Sequence, residues 1–331
     1  MKAYLIRRLL LLIPTFLGIS ILSFLVIQLA PGNPVSIRLM KMQGTMAANS
    51  VPAEVIEKTK ALYGLDKPIY IQYGRWLKRL ATLDFGTSYK DRRPVLEKIG
   101  EALPVTLQIN LLSFFFIYVF SIPLGVISAV KQGTWGDAIT TLFLFLLYSL
   151  PSFWVAMLLM YFLGGGQHLN WFPIYGINSL GAEKMTFWPW LWDRLWHLVL
   201  PTFCLTYWGF AYISRYARSG MIDVIRQDYI RTAKAYGFSN KVVIFKYAFR
   251  NSLIPILTLL GMLLPALLGG SVIIEQIFSI PGMGRLGFEA ILSRDYPLVM
   301  GILSISALLT LVGLILSDIF YALADPRIRF E

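Results

Sequence analysis

Six long apolar runs, separated by polar segments of very unequal length, dominate the chain. They fall at Leu9–Ala30, Leu103–Val130, Ala138–Leu163, Leu198–Ile213, Leu253–Ile274 and Leu298–Ala324. Each is read as a membrane-crossing helix, since about 20 apolar residues cross about 30 Å of hydrocarbon. The fourth is the weakest, diluted by Pro201, Thr202, Thr206 and Tyr207. The pattern predicts an all-α polytopic membrane protein with six transmembrane helices. The first run follows Lys2, Arg7 and Arg8, as in a signal peptide. Its apolar stretch is too long for one, and no clean small-residue cleavage site precedes Pro31-Gly32, so it is read as a retained helix.

The polar segments divide the chain further. Residues 1–30 form a short tail and the first helix, 31–102 an external loop domain, 103–324 a five-helix core, and 325–331 a tail. Within the external loop, Ser50 is placed to cap a helix with Pro52 in its first turn. That helix would run through Glu54, Glu57 and Lys60 to a stop at Gly64. A second, amphipathic stretch at Ile71–Leu83 sets Tyr73, Trp76, Leu77 and Leu80 at helical spacing, with its aromatics suited to a membrane interface. Prolines 14, 123, 151, 201 and 265 sit in or near the spans. Each removes a backbone donor and bends its helix unless neighbours re-satisfy it. They are either ordinary membrane-helix enrichment or, together, the mark of helices with gaps for a translocation path.

Composition agrees with the pattern. The 331 residues are 56% hydrophobic and 15% charged, whereas soluble domains are nearer half apolar and a quarter charged. The net charge of +12 does not point to nucleic acid, because the basic residues flank apolar runs instead of forming one face. The longest polar interruption between later spans, Arg215 to Asn251, holds eight basic residues: Arg215, Arg218, Arg226, Arg231, Lys234, Lys241, Lys246 and Arg250. Only Asp223 and Asp228 oppose them. Positive charge in loops stays on the cytoplasmic side, so this segment is predicted cytoplasmic, and with six spans both termini are too. The setting is a multi-pass protein surrounded by lipid. The one cysteine, Cys204, excludes an intrachain disulfide.

Catalytic chemistry is sparse. No Gly-Lys pair occurs, so there is no phosphate loop of the Walker kind. His168 and His197 belong to no zinc-binding pair and read as interfacial. Gly282, Gly284 and Gly287 formally match G-x-G-x-x-G, but a dinucleotide site needs a preceding strand. Here an apolar helix precedes, and a tight re-entrant or surface turn is expected. Gly164-Gly165-Gly166 reads as a flexible exit from the third span. Glu275 lies at the outer end of the fifth span. Asp318 lies within the sixth, as a functional intramembrane acid or, favoured here, as the partner of a cytoplasmic-side arginine on another helix. No catalytic, cofactor-binding or metal-ligating residue is assigned.

The basic segment is more than a turn. Asp228 is placed to cap a helix from Tyr229, with Ile230, Ala233 and Tyr236 on one side. Gly237 suits a left-handed stop. Ser239 or Asn240 then caps a second helix carrying Val243, Phe245, Tyr247 and Phe249 into the fifth span. Two short helices hinged on a glycine make a knob, and small residues such as Thr232 and Ala233 allow a partner to approach. A solvated basic hairpin serving only topology fits the composition equally well.

The segment resembles the cytoplasmic signature of binding-protein-dependent ABC importer permeases, Glu-Ala-Ala, three residues, then Gly. Arg231, Thr232, Ala233 and Gly237 fall on that spacing. Arg and Thr replace the Glu and first Ala, and the family's later Ile-x-Leu-Pro is not kept at Tyr247, Phe249 and Arg250. These departures are similar to the peptide/nickel subfamily, with DYIRTAKAYG and FRNSLIP as its forms. So are RRLLLLIPTFLGIS, LAPGNP, GLDKPI, DFGTSY, RRPV, LPVTL, LPTFCL, SIPGMGRLG, RDYPLV and ALADPRIRF, in that order along nearly the whole chain.

The resemblance implies a type I importer permease in a bacterial-type cytoplasmic membrane, moving di- or oligopeptides. Nickel chelates and oligosaccharides are the subfamily's other cargoes, and a secondary transporter is the rival class. It implies that Asp228, Tyr229, Arg231, Thr232, Ala233, Gly237 and Phe238 form a coupling helix seated in a separate ATPase. The implied partners are a second homologous permease, two ATP-binding subunits carrying ATP and Mg²⁺, and an external solute-binding protein. This chain itself would hold no cofactor.

Overall fold

The computed structural model describes residues 2–29, 66–164, 168–253 and 263–324, with single positions 54, 57, 256 and 259. Among these the chain is all helical apart from turns and one isolated bridge, Thr87 to Pro94. Helix α1 is Lys2–Leu29 and contains Pro14 without a break. Its outer face is bare, with Leu22 and Val26 about two-thirds exposed, as a helix facing lipid should be.

Helix α2 (Ile69–Ala81) is the amphipathic element expected from the loop. Tyr73 shares a 2.8 Å hydrogen bond with Ser20, and Gln28 Nε2 donates to Gln72 Oε1 at 2.7 Å, so α2 lies across the C-terminal end of α1. It ends at Ala81, short of Leu83, because Leu83 turns left-handed (φ 56°) and Asp84 N–H donates back to Arg79 O. The helix expected at Ser50–Gly64 lies outside the described residues, except that Glu54 and Glu57 are helical.

Helix α3 (Val95–Val130) starts eight residues ahead of its apolar run. At 36 residues it is about 54 Å long and projects beyond a bilayer. The third run is not one helix. Helices α4 (Trp135–Ser149) and α5 (Ser152–Leu163) meet at a 93° bend. Pro151 lacks an N–H and forces Leu150 into an extended conformation (ψ 127°), which ends α4. The Leu150 carbonyl accepts from Tyr207 Oη at 2.7 Å.

Helix α6 (Phe187–Ile225) carries the fourth run but extends well past both its ends, to 39 residues or about 58 Å. It packs along α3 through small residues. A Cβ on Gly125 would lie 2.4 Å from Ser214 O, one on Gly209 would lie 2.5 Å from Ile117, and Ser214 Oγ donates to Ser121 O at 3.1 Å. Close approach of this kind is how helices associate where water supplies no driving force.

After Ile225 come α7 (Asp228–Ala235), α8 (Asn240–Val242), a π-helical turn (Val243–Ala248) and α9 (Phe249–Ser252). The fifth run is then seen as α10 (Leu263–Leu268) and α11 (Val272–Ile277), interrupted at 269–271. Asn110 Nδ2 donates to Leu267 O (2.8 Å) and Gly269 O (3.0 Å), satisfying carbonyls that the break frees. Helix α12 is Met283–Leu292 and α13 is Tyr296–Ala324. Among the described residues three helices are long and apolar enough to cross a membrane singly, or four with the bent α4–α5 pair.

The Gly282-Met283-Gly284 turn opens α12 and follows a helix, not a strand. Buried Glu275 explains its glycines. The carboxylate accepts from Arg285 N–H (2.7 Å) and Thr106 Oγ1 (3.1 Å), capping α12 from outside. A Cβ on Gly282 would sit 2.5 Å from Glu275 Cδ, and one on Gly284 would sit 2.7 Å from Val272 N. Asp318 pairs with Arg8 of α1, an arginine on another helix as expected. Asp295, fully buried at the start of α13, accepts from Tyr89 N–H at 2.9 Å and from Ser88 Oγ, pinning the 84–94 loop.

Candidate functional site

The knob has its own core. Ile230 and Ala233 of α7 pack against Val243 and Ala248 of the π turn, against Met221 of α6, and against Val126 and Ala129 of α3. Ile230 is 1% exposed and Ala248 fully buried. Val243 and Ala248 are five residues apart, and the π register brings both inward where an α-helix would not. Helices α3 and α6 and the knob therefore share one apolar cluster, which ties α7 to both.

The ends of α7 are defined by backbone geometry. Gln227, not Asp228, occupies the cap position, and no side chain caps it. Asp228 sits in the first turn, where its charge suits the helix dipole, and pairs with Arg231 at 3.4 Å. At the far end Gly237 has φ 80°, Gly237 N–H donates to Lys234 O and Phe238 N–H to Ala233 O. That is the Schellman arrangement, and only a left-handed residue completes it.

The structure divides the expected coupling residues into two sets. Asp228, Tyr229, Arg231, Thr232 and Phe238 are exposed, with Gly237 closing the turn between them. Ala233 faces the chain's own core, where its small size serves internal packing. Tyr236, expected on the same side as Ile230 and Ala233, is 80% exposed, and Phe245 of the second helix is 66% exposed. Phe245 lies two residues after buried Val243, and residues two apart on a helix do not share a face. An exposed aromatic set of Tyr229, Tyr236, Phe238 and Phe245 results. Asn251 Nδ2 donates to Tyr229 Oη at 2.9 Å, tying α7 to α9.

A second anchor holds the knob's base. Arg218 of α6 donates through Nε (3.1 Å) and Nη2 (2.9 Å) to the two carboxylate oxygens of Asp137. Asp137 also accepts from Ser128 Oγ of α3 and from Gly133 N–H. A bidentate pair with further donors fixes the 131–137 loop across α3 and α6. In the sequence Arg218 is distinguished from the other basic residues of its segment by nothing local. On the opposite side Asp193 accepts from Ser179 N–H (2.9 Å) and Asn178 Nδ2 (3.0 Å). Burial opposes its charge, but these bonds and His197 hold its carboxyl below the ordinary carboxylate range.

With this architecture in view, comparison with known proteins is direct. The family model described as the binding-protein-dependent transport system inner membrane component matches residues 121–330, and its N-terminal companion matches 1–110. The oligopeptide transport system permease protein AppB of Bacillus subtilis (strain 168) is 42% identical, with all of both chains covered. The dipeptide transport system permease protein DppB of Alkalihalophilus pseudofirmus is 38% identical over all of both chains. The inner membrane ABC transporter permease protein YejB of Escherichia coli O157:H7 is 35% identical, again over all of both. Among solved structures, an inward-facing methionine ABC transporter, MetNI, aligns with 70% of this chain and 97% of its own at 15% identity and a TM-score of 0.49. This chain belongs to the family of binding-protein-dependent transport system inner membrane components.

Proposed function

We propose that the chain is one permease subunit of an ATP-driven importer of di- and oligopeptides. It pairs with a second, homologous permease and receives cargo from an external solute-binding protein. Two separate subunits hold and hydrolyse ATP with Mg²⁺. Both termini and the knob lie in the cytoplasm. The peptide assignment is carried over from relatives whose names specify oligopeptide and dipeptide transport.

The observation that carries the coupling role is the knob's combination of a shared core with an exposed aromatic surface. The ATPase grips Tyr229, Thr232, Tyr236, Phe238 and Phe245. Because Ile230 and Ala233 are locked to α3 and α6, movement of the ATPase is delivered to both helices together. Helix α6 then carries it about 58 Å to the external side.

The test is a crosslinking and activity pair on the reconstituted complex. A cysteine at Thr232 should crosslink to the ATPase subunit, and one at exposed Lys78 of α2 should not. Peptide-loaded binding protein should stimulate ATP hydrolysis. Transport of peptide by this chain without ATPase subunits would refute the reading.

A further inference from the structure

The break between α4 and α5 falls at mid-depth in the membrane. Asp137, in the first turn of α4, pairs with Arg218 of α6 where the apolar run of α6 gives way to the basic segment. That pair marks one boundary of the hydrocarbon. At a rise of about 1.5 Å per residue, Tyr148 of α4 and Trp208 of α6 each stand about 15 Å from it. A hydrocarbon core about 30 Å thick puts both near its middle. At the break Ser149 and Pro151 are exposed, Leu150 is extended, and no side chain caps the start of α5. Non-helical backbone at this depth persists only against protein or water, because lipid offers its polar groups no partner.

Four aromatic rings run from the break toward the Arg218 level. Tyr148 stacks on Trp208 (centroids 5.4 Å apart), Trp208 stacks on Tyr212 (6.5 Å), and Tyr212 meets Tyr216 (4.9 Å). The three on α6 recur every four residues and so hold one face. All four are exposed. An interfacial aromatic belt accounts for Tyr216, close to the boundary, but not for Tyr148 and Trp208 at mid-depth. In hydrocarbon their phenol and indole N–H would forgo hydrogen bonds with water. Elsewhere α6 carries a surface that does suit lipid. It is a groove of about 630 Å³ shared with α3 and α4, walled by Phe116, Phe120, Phe143, Val199 and Phe203, and none of the four rings lines it. The ladder does not suit a second helix either. Helices α3 and α6 meet through Gly125 and Gly209, whereas the ladder presents large rings.

We propose that Tyr148, Trp208, Tyr212 and Tyr216 line a water-filled path and form the surface along which a peptide passes from the α4–α5 break toward the knob. The occupant rests on the peptide-importer reading above; the water-facing ladder rests on depth and exposure. Flat ring faces accept side chains of any shape, and hydroxyl and N–H rims meet the backbone amides that every peptide carries. The four rings carry no charge, so they select for a peptide backbone and not for one side chain.

A charged methanethiosulfonate reagent, which does not enter lipid, reads the ladder in the reconstituted complex. The native Cys204 is buried and supplies the background. Trp208→Cys and Tyr212→Cys should react much faster than Val199→Cys, on the apolar groove. Uptake of trialanine should fall about tenfold in Trp208→Leu, which loses the ring and suits lipid better than tryptophan does. It should stay near wild type in Trp208→Phe, which keeps a ring and guards against misfolding, and in Phe203→Leu on the groove. Equal reaction at positions 208 and 199 overturns the proposal. So does a crosslink from Trp208→Cys to the second permease, which marks a subunit contact, and so does unchanged uptake in Trp208→Leu. A wild-type complex that takes up no peptide refutes the peptide reading itself, while reaction at 208 but not 199 still shows that this face meets water.

Discussion

The proposed coupling role requires a solid core in the knob, and Ile230→Ala tests that directly. Ile230 is 1% exposed and is enclosed by residues of α3, α6, α7 and the π turn. Truncation to alanine removes three carbons, worth about 2.4 kcal/mol of transfer energy. The cavity left behind brings the cost to about 3 kcal/mol. Helix α7 has eight residues, and isolated helices shorter than about 12 do not persist in water, so this core is what keeps it folded. Local opening should therefore become about 150-fold more frequent. Hydrogen exchange of the α7 amides in the solubilised chain reads that factor. Arg231→Ala is the contrast. Its ion pair with Asp228 has side chains 74% and 93% exposed, so it contributes about 0.3 kcal/mol and exchange should rise less than twofold. Unchanged α7 exchange in Ile230→Ala would refute the argument, because the knob would then owe its order to something other than this cluster.

Three further outcomes concern the 84–94 loop and the ends of α12. Asp295→Asn weakens the charge-assisted bonds from Ser88 Oγ and Tyr89 N–H, at about 2 kcal/mol, and should speed proteolytic nicking within 84–93. Gly284→Ala puts a Cβ 2.7 Å from Val272 N and 2.9 Å from Gly270 C. Backbone cannot swing aside, so a loss of about 3 kcal/mol in thermal unfolding is expected, whereas Gly287→Ala, with nothing within 4 Å, should be near neutral. Arg294→Gly removes the strain of a non-glycine at φ 51° and should raise stability by about 1 kcal/mol, read as a higher unfolding midpoint.

Much of this protein was legible in the order of its residues. Apolar runs of membrane length, the amphipathic pattern of α2, the glycine stop at Gly237 and the basic segment around it all follow from local rules, because each depends on neighbours within a few positions. Family membership was legible for the same reason: the motifs are contiguous. What tertiary structure decided is different in kind. Proline 151 signalled a bend, but only packing against α6 and the bond from Tyr207 set it at 93°. The inward turn of Ala233, the outward turn of Tyr236 and Phe245, and the π register that links Val243 to Ala248 depend on what α3 and α6 offer as a surface. The pairing of Asp318 with Arg8, and of Glu275 with the start of α12, joins positions far apart in sequence. A buried charge takes whichever partner the fold brings near, and side-chain spacing along the chain carries no record of that choice.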